Sequence, residues 1–207
     1  MVMAVLPLAA DDVQSWTEVE LRVFESDRVT WTAGGVTRIR DSLGSLYDRR
    51  AQTGLDLKLT DSLSTTLGYI LRNHDRSGYG FGWDHRMFAG LSYPLLRRGF
   101  AVDGTTLYER HIGRPDVPDF NRYRQQIEIE RPRARVSPWI YQSVAFKRQG
   151  FVRTRSRTGV RWRFAAGHSV TAAYQYESIK ASVAWHPRHA ILSEWNFDLS
   201  PRDAVDR

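Results

Sequence analysis

The sequence predicts an all-β protein: a closed, antiparallel, up-and-down transmembrane β-barrel of 10–12 strands. Three observations predict it. Apolar and polar residues alternate with period two along most of the chain after Asp12, whereas helical periodicity is hard to find. The alternating segments run about 11–14 residues, while globular strands run about 5–6 and a tilted bilayer-crossing strand needs about 9–11 plus a margin at each rim. The links between them tend to alternate between short and longer, with the link at 148–150 as the exception.

Composition narrows the field before any element is placed. The 207 residues carry 30 Lys+Arg against 23 Asp+Glu, a formal charge of +7, and only Lys58, Lys147 and Lys180 among the cations are lysines. An aromatic content of 12% argues against a disordered chain. The absence of cysteine excludes a disulfide framework, thiolate metal sites and cysteine nucleophiles. No apolar run is long enough for a membrane-spanning helix, which leaves membrane crossing by strands. A mean hydropathy of −0.47 is compatible with that, because only half of each such strand meets lipid.

Taken in order, residues 1–10 (MVMAVLPLAA) form an apolar run ending in small residues, followed by Asp11-Asp12. They read as the remnant of a secretory signal without its basic leader, so that the barrel domain spans 11–198 and 199–207 is a polar C-terminal tail. Strand segments are expected at 13–24, 29–40, 46–59, 63–73, 83–93, 99–111, 120–131, 136–147, 151–164, 169–179 and 187–198. Short turns are expected at 25–28, 60–62, 94–98, 132–135 and 165–168, with longer links at 41–45, 75–81, 113–119 and 180–186. This makes eleven segments, whereas single-chain bacterial barrels have an even number, so ten and twelve strands both stay open, as does the role of the 13–24 segment.

The clearest alternation lies at 151–164. Val152, Thr154, Ser156, Thr158, Val160, Trp162 and Phe164 form one face; Phe151, Arg153, Arg155, Arg157, Gly159, Arg161 and Arg163 form the other. Five arginines on one strand face cannot enter a dry core unpaired, so that face must meet water or counter-charges. The other strands repeat the division, with aromatics such as Trp31, Tyr47, Tyr69, Trp83, Tyr108, Phe146, Trp162 and Trp195 near strand ends, as interfacial girdles require. The candidate lumen charge network is therefore Arg153, Arg155, Arg157, Arg161 and Arg163, with Arg86, Arg122 and Arg124, set against Glu18, Glu20, Asp56, Asp84, Glu128, Glu130 and Glu177. Such a network either attracts anions through an open pore or plugs a small barrel with matched charges. Arginine suits the plug, because guanidinium forms planar bidentate pairs.

Other chemistries are weaker. In Trp83-Asp84-His85-Arg86 the acid and the imidazole fall on opposite faces and cannot cooperate directly. A barrel hydrolase needs Ser, His and an acid converging at the wall, but among the six histidines only His168 adjoins a serine, Ser169, and adjacent residues point apart. His186 and His189 are a weak metal pair, and no cofactor is expected. Nucleic-acid binding would require a basic patch with interleaved aromatics, whereas here cations alternate with apolar residues. Rim cations such as Arg38, Arg40, Arg72, Arg110 and Arg148 suit the anionic headgroups of outer-membrane lipid and lipopolysaccharide.

Four short motifs in order carry a resemblance. Asp12-Val13-Gln14-Ser15-Trp16-Thr17, Trp83-Asp84-His85-Arg86 with Phe88, Asn121-Arg122-Tyr123-Arg124 and Val136-Ser137-Pro138-Trp139 are similar to the acidic-then-Trp opening, the Trp-acid-His-Arg strand, the Arg/Tyr-rich strand and the Ser-Pro-aromatic strand of the domain of unknown function 2490 family. The resemblance covers about residues 11–198. It implies a bacterial outer-membrane barrel and no catalytic residues. The expected function is that of a non-catalytic outer-membrane protein, structural or a narrow channel for small solutes. The alternatives are a barrel enzyme acting on lipid or lipopolysaccharide and a soluble periplasmic β-sandwich binding protein.

Overall fold

A computed structural model describes residues 13–40, 44–76, 80–113, 119–132, 134–148, 150–181 and 184–200. The segment 1–10 and residues 201–207 of the tail lie outside the described residues. Eleven strands follow one another: β1 Val13–Glu25, β2 Val29–Arg40, β3 Ser45–Thr60, β4 Leu63–Arg76, β5 Gly80–Arg98, β6 Phe100–Ile112, β7 Phe120–Glu130, β8 Val136–Lys147, β9 Gly150–Ala165, β10 His168–Ala181 and β11 Ala184–Asp198. Each pairs antiparallel with its sequence neighbour, and β1 closes on β11. Closure pairs the edges that an open sheet would leave bare.

The barrel expected from the sequence is therefore present, with eleven strands rather than ten or twelve. The 13–24 segment is an ordinary wall strand. An odd meander brings its first and last strands in the same direction, so β1 and β11 pair in parallel, from Val13 opposite His189 to Arg22 opposite Asp198. Parallel pairing is slightly weaker per residue than antiparallel pairing. Bonds outside the ladder reinforce this seam: the Leu199 amide donates to the Arg22 carbonyl at 2.8 Å and Ser193 Oγ donates to Thr17 Oγ1 at 3.3 Å. The start of β1 defines one rim, here the start rim; the end of β11 defines the end rim.

The links are more even than the sequence suggests. The expected turn at 94–98 lies inside β5, where a bulge at Leu95 lets the strand run to Arg98, and Gly99 alone (φ 70°) turns the chain into β6. Only residues 77–79 and 182–183 separate the strands where longer links were expected.

The wall is sided. Large apolar residues point outward, with Trp83 56% and Ile191 59% exposed, while Asp48, Glu109 and Leu192 inside are fully buried. Outward amides and hydroxyls satisfy one another: Thr106 Oγ1 donates to Gln125 Oε1 at 2.6 Å, Gln125 Nε2 to the Tyr93 hydroxyl at 2.8 Å, and Gln142 Nε2 to Thr154 Oγ1 at 3.0 Å. Two bulges break the period-two reading. Val152 is the extra residue opposite Ala145 and Phe146, so Phe151 faces out beside Phe146 (centroids 5.6 Å apart) rather than in with the arginines. Tyr47 is the extra residue opposite Arg38 and Ile39; it turns inward and is 7% exposed rather than joining a rim girdle.

Glycine makes room where a ring lies against the neighbouring strand. A Cβ on Gly68 would overlap the Phe88 ring, which pairs directly across from it. Gly68→Val is expected to destabilise the barrel by about 1–3 kcal/mol through overpacking, read as a lower urea midpoint of the folded form.

Candidate functional site

The interior stacks charged layers on either side of a buried apolar cluster. At mid-height Trp16, Trp139, Tyr141, Ala173, Ala190 and Leu192 form one buried cluster. Trp16 shares the inward face of β1 with Gln14 and Glu18. Its indole N–H donates to Gln14 Oε1 at 3.2 Å, and the Arg38 guanidinium lies 3.4 Å from its ring centroid. Arg155 and Arg157 approach the same ring at 5.1 and 5.8 Å. Cation–π contact lets guanidiniums share a small lumen with apolar rings.

Toward the start rim, three buried carboxylates each gather arginines. Asp48 receives two bidentate forks, from Arg50 (3.1 and 2.6 Å) and Arg72 (3.0 and 2.9 Å), and Arg38 stands at 3.5 Å. Glu109 binds Arg122 and Arg124, with His111 at 3.3 Å. Glu177 accepts two bonds from Arg155 (3.0 and 2.7 Å) and has Arg153 at 3.8 Å. Register explains the matching: Glu109 lies directly opposite Arg122, and Glu177 directly opposite Arg155. A cavity of about 110 Å³ opens here, lined among the described residues by Arg38, Arg50, Arg72, Arg86, Arg122, Arg153 and Arg188 and by two carboxylates, Asp84 and Glu177.

Toward the end rim the balance reverses. A cavity of about 530 Å³ is lined by Glu18, Glu20, Glu128, Glu130 and Glu194 against Arg22, Arg161 and Arg163. Arg161 is its hub, reaching Glu128 at 3.2 Å, Glu130 at 2.6 Å, Glu194 at 3.2 Å and Thr171 Oγ1 at 3.0 Å. Arg163 shares Glu130 at 2.7 Å, and the Trp139 indole donates to Glu128 at 2.7 Å. Arg157 lies beside the cluster, bonding Gln175 at 2.8 Å and Glu18 at 2.9 Å.

The other sequence-selected residues are placed as follows. Asp84 and Arg86 are buried inside, and Trp83 is outside. Asp84 meets Arg72 and His74, at 3.7 and 3.2 Å, rather than the β9 arginines. Asp56 accepts a bond from Thr66 Oγ1, and Glu20 forms no ion pair among the described residues. Arg38 and Arg72, read from sequence as rim cations, are interior residues on Asp48; Arg110 does stand exposed at the start rim, bound to Asp119 and Asn121. Sequence reasoning missed Asp48, Glu109, Glu194, Arg50 and Trp16. The signal for Trp16 was its parity with Glu18 and Glu20.

The adjacent pair His168 and Ser169 is engaged with separate partners. His168 Nδ1 accepts from the Asp198 amide at 3.3 Å, while Ser169 Oγ accepts from Asn196. No cluster of three metal-ligating side chains occurs among the described residues.

A family model described as protein of unknown function (DUF2490) matches residues 13–186. No curated protein sequence matches the chain. The fold is similar to that of the NanC porin, solved in a rhombohedral crystal form, with a TM-score of 0.53 and 11% identity over 84% of this chain and 89% of that one.

Proposed function

Since the chain belongs to the DUF2490 family, we propose that it is a non-catalytic barrel of the bacterial outer membrane that admits small solutes through a narrow, arginine-rich lumen. The sidedness of the wall carries this reading: apolar side chains cover the outside while ion pairs fill the inside. Outward apolar side chains and inward charge suit a barrel in lipid. The likeness to a porin and the cavities at both ends of the lumen support a channel. The buried cluster around Trp16 supports narrow passage, and a fully plugged structural barrel is the second reading, favoured by the ion pair of Arg157 with Glu18. Rim cations such as Arg110 would meet lipid and lipopolysaccharide headgroups.

In detergent the barrel is expected to migrate faster unheated than boiled, and in a planar bilayer to give small discrete conductance steps. A protein that never shifts on heating and stays in the aqueous phase contradicts the membrane assignment. A folded barrel without conductance selects the plug, and hydrolysis of phospholipid or lipopolysaccharide overturns the non-catalytic assignment.

A further inference from the structure

The start-rim cavity holds more guanidiniums than carboxylates among the described residues. Arg86 is 6% exposed, lines this cavity, and forms no ion pair or side-chain hydrogen bond among the described residues; its Nε is buried and unpartnered. The carboxylates nearby are already committed. Asp48 serves Arg38, Arg50 and Arg72; Asp84 serves Arg72 and His74; Glu109 serves Arg122 and Arg124; Glu177 serves Arg153 and Arg155. Eight arginines, Arg86 included, share the four carboxylates Asp48, Asp84, Glu109 and Glu177 among the described residues, which leaves the chamber positive. A buried charge without a partner costs several kcal/mol, which an incoming anion would offset. At about 110 Å³ the chamber has room for an oxyanion group. Arg188, exposed at the rim, and half-buried Arg153 lead in from the mouth.

We propose that this chamber is an oxyanion-binding site that takes the phosphate or carboxylate group of a small soluble solute, with Arg86 as its anchor. Guanidinium is suited to both groups, because its planar fork matches two oxygens at once. The site rests on the reading of the barrel as a pore that admits solutes, since the anion enters through the lumen. Binding is nonetheless measurable without conduction, so the two ideas fail separately.

The test uses the full chain folded in zwitterionic detergent at low salt, with inorganic phosphate and acetate as probes. Both are expected to raise the thermal midpoint saturably, as ligands that bind only the folded state do. Arg86→Gln is expected to raise the midpoint of the anion-free barrel and to weaken phosphate binding at least about tenfold. Arg188→Gln, an exposed change that leaves folding intact, is expected to weaken binding about threefold. Arg163→Gln, at the opposite rim, is expected to leave binding unchanged. Lipopolysaccharide micelles should not compete with phosphate, since a lipid-borne group cannot reach the lumen. Absence of any saturable anion effect on the folded wild type overturns the proposal. So does a full anion effect in Arg86→Gln or, should that variant not fold, in Arg188→Gln. Competition by lipopolysaccharide would move the site to the outer rim and overturn it equally.

Discussion

Asp48→Asn is expected to cost the barrel about 3–5 kcal/mol, one of the two largest single-residue effects in the molecule. The carboxylate is completely buried and holds two guanidinium forks and a third arginine. Asn keeps one acceptor oxygen and loses the negative charge, leaving Arg38, Arg50 and Arg72 confined together. The loss is read as a lower urea midpoint for conversion of the fast-migrating folded band. Arg163→Gln is the control, because Arg163 is partly exposed and only one of two cations on Glu130; its effect should stay within about 1 kcal/mol. A shift for Asp48→Asn no larger than that of the control would mean that lumen water, not the carboxylate, solvates these arginines.

Trp16→Ala is expected to act on both stability and passage. The indole is 1% exposed and packs with Trp139, Tyr141 and Leu192 between the two charged cavities. Removing a buried Trp side chain costs about 3–5 kcal/mol. The space released joins the start-rim chamber to the end-rim chamber, so single-channel conductance should rise several-fold in barrels that still fold. Trp162→Ala, which removes an outward ring, should leave conductance unchanged. Equal conductance in wild type and Trp16→Ala would place the narrowest point elsewhere.

Much of the wall was legible in the sequence because period-two alternation is a local property. The arginines at 155, 157, 161 and 163 and the opposed Val160 and Trp162 follow from counting residues, and their faces in the barrel differ in burial as counted. The reading failed at Phe151 and Tyr47 for one reason. A bulge adds a residue to one strand only, and nothing in the local pattern marks Val152 or Tyr47 as extra. The eleven segments were legible and each is a strand; the even-number rule set that count aside, and it fails here because the ends close in parallel. The ion pairs were legible only as a supply of opposite charges. That Glu109, not Asp84, holds Arg122 depends on register between β6 and β7, and that Asp48 gathers three arginines depends on three adjacent strands. Tyr47 reads from the sequence as a rim aromatic but lies inside, as do Trp16 and Trp139.

The central claim is that the apolar side of this sheet faces lipid while the arginines face a water-accessible interior. The chain has no cysteine, so single cysteines can be labelled cleanly. Spin labels placed one at a time at Ala190, Ile191, Leu192, Ser193, Glu194 and Trp195 of β11, in barrels folded into bilayers, would report collisions with lipid-soluble oxygen and a water-soluble nickel chelate. Odd positions are expected to be oxygen-rich and nickel-poor, and even positions to have low oxygen access. Uniform nickel access along β11, or high oxygen access at Leu192 and Glu194, would contradict it.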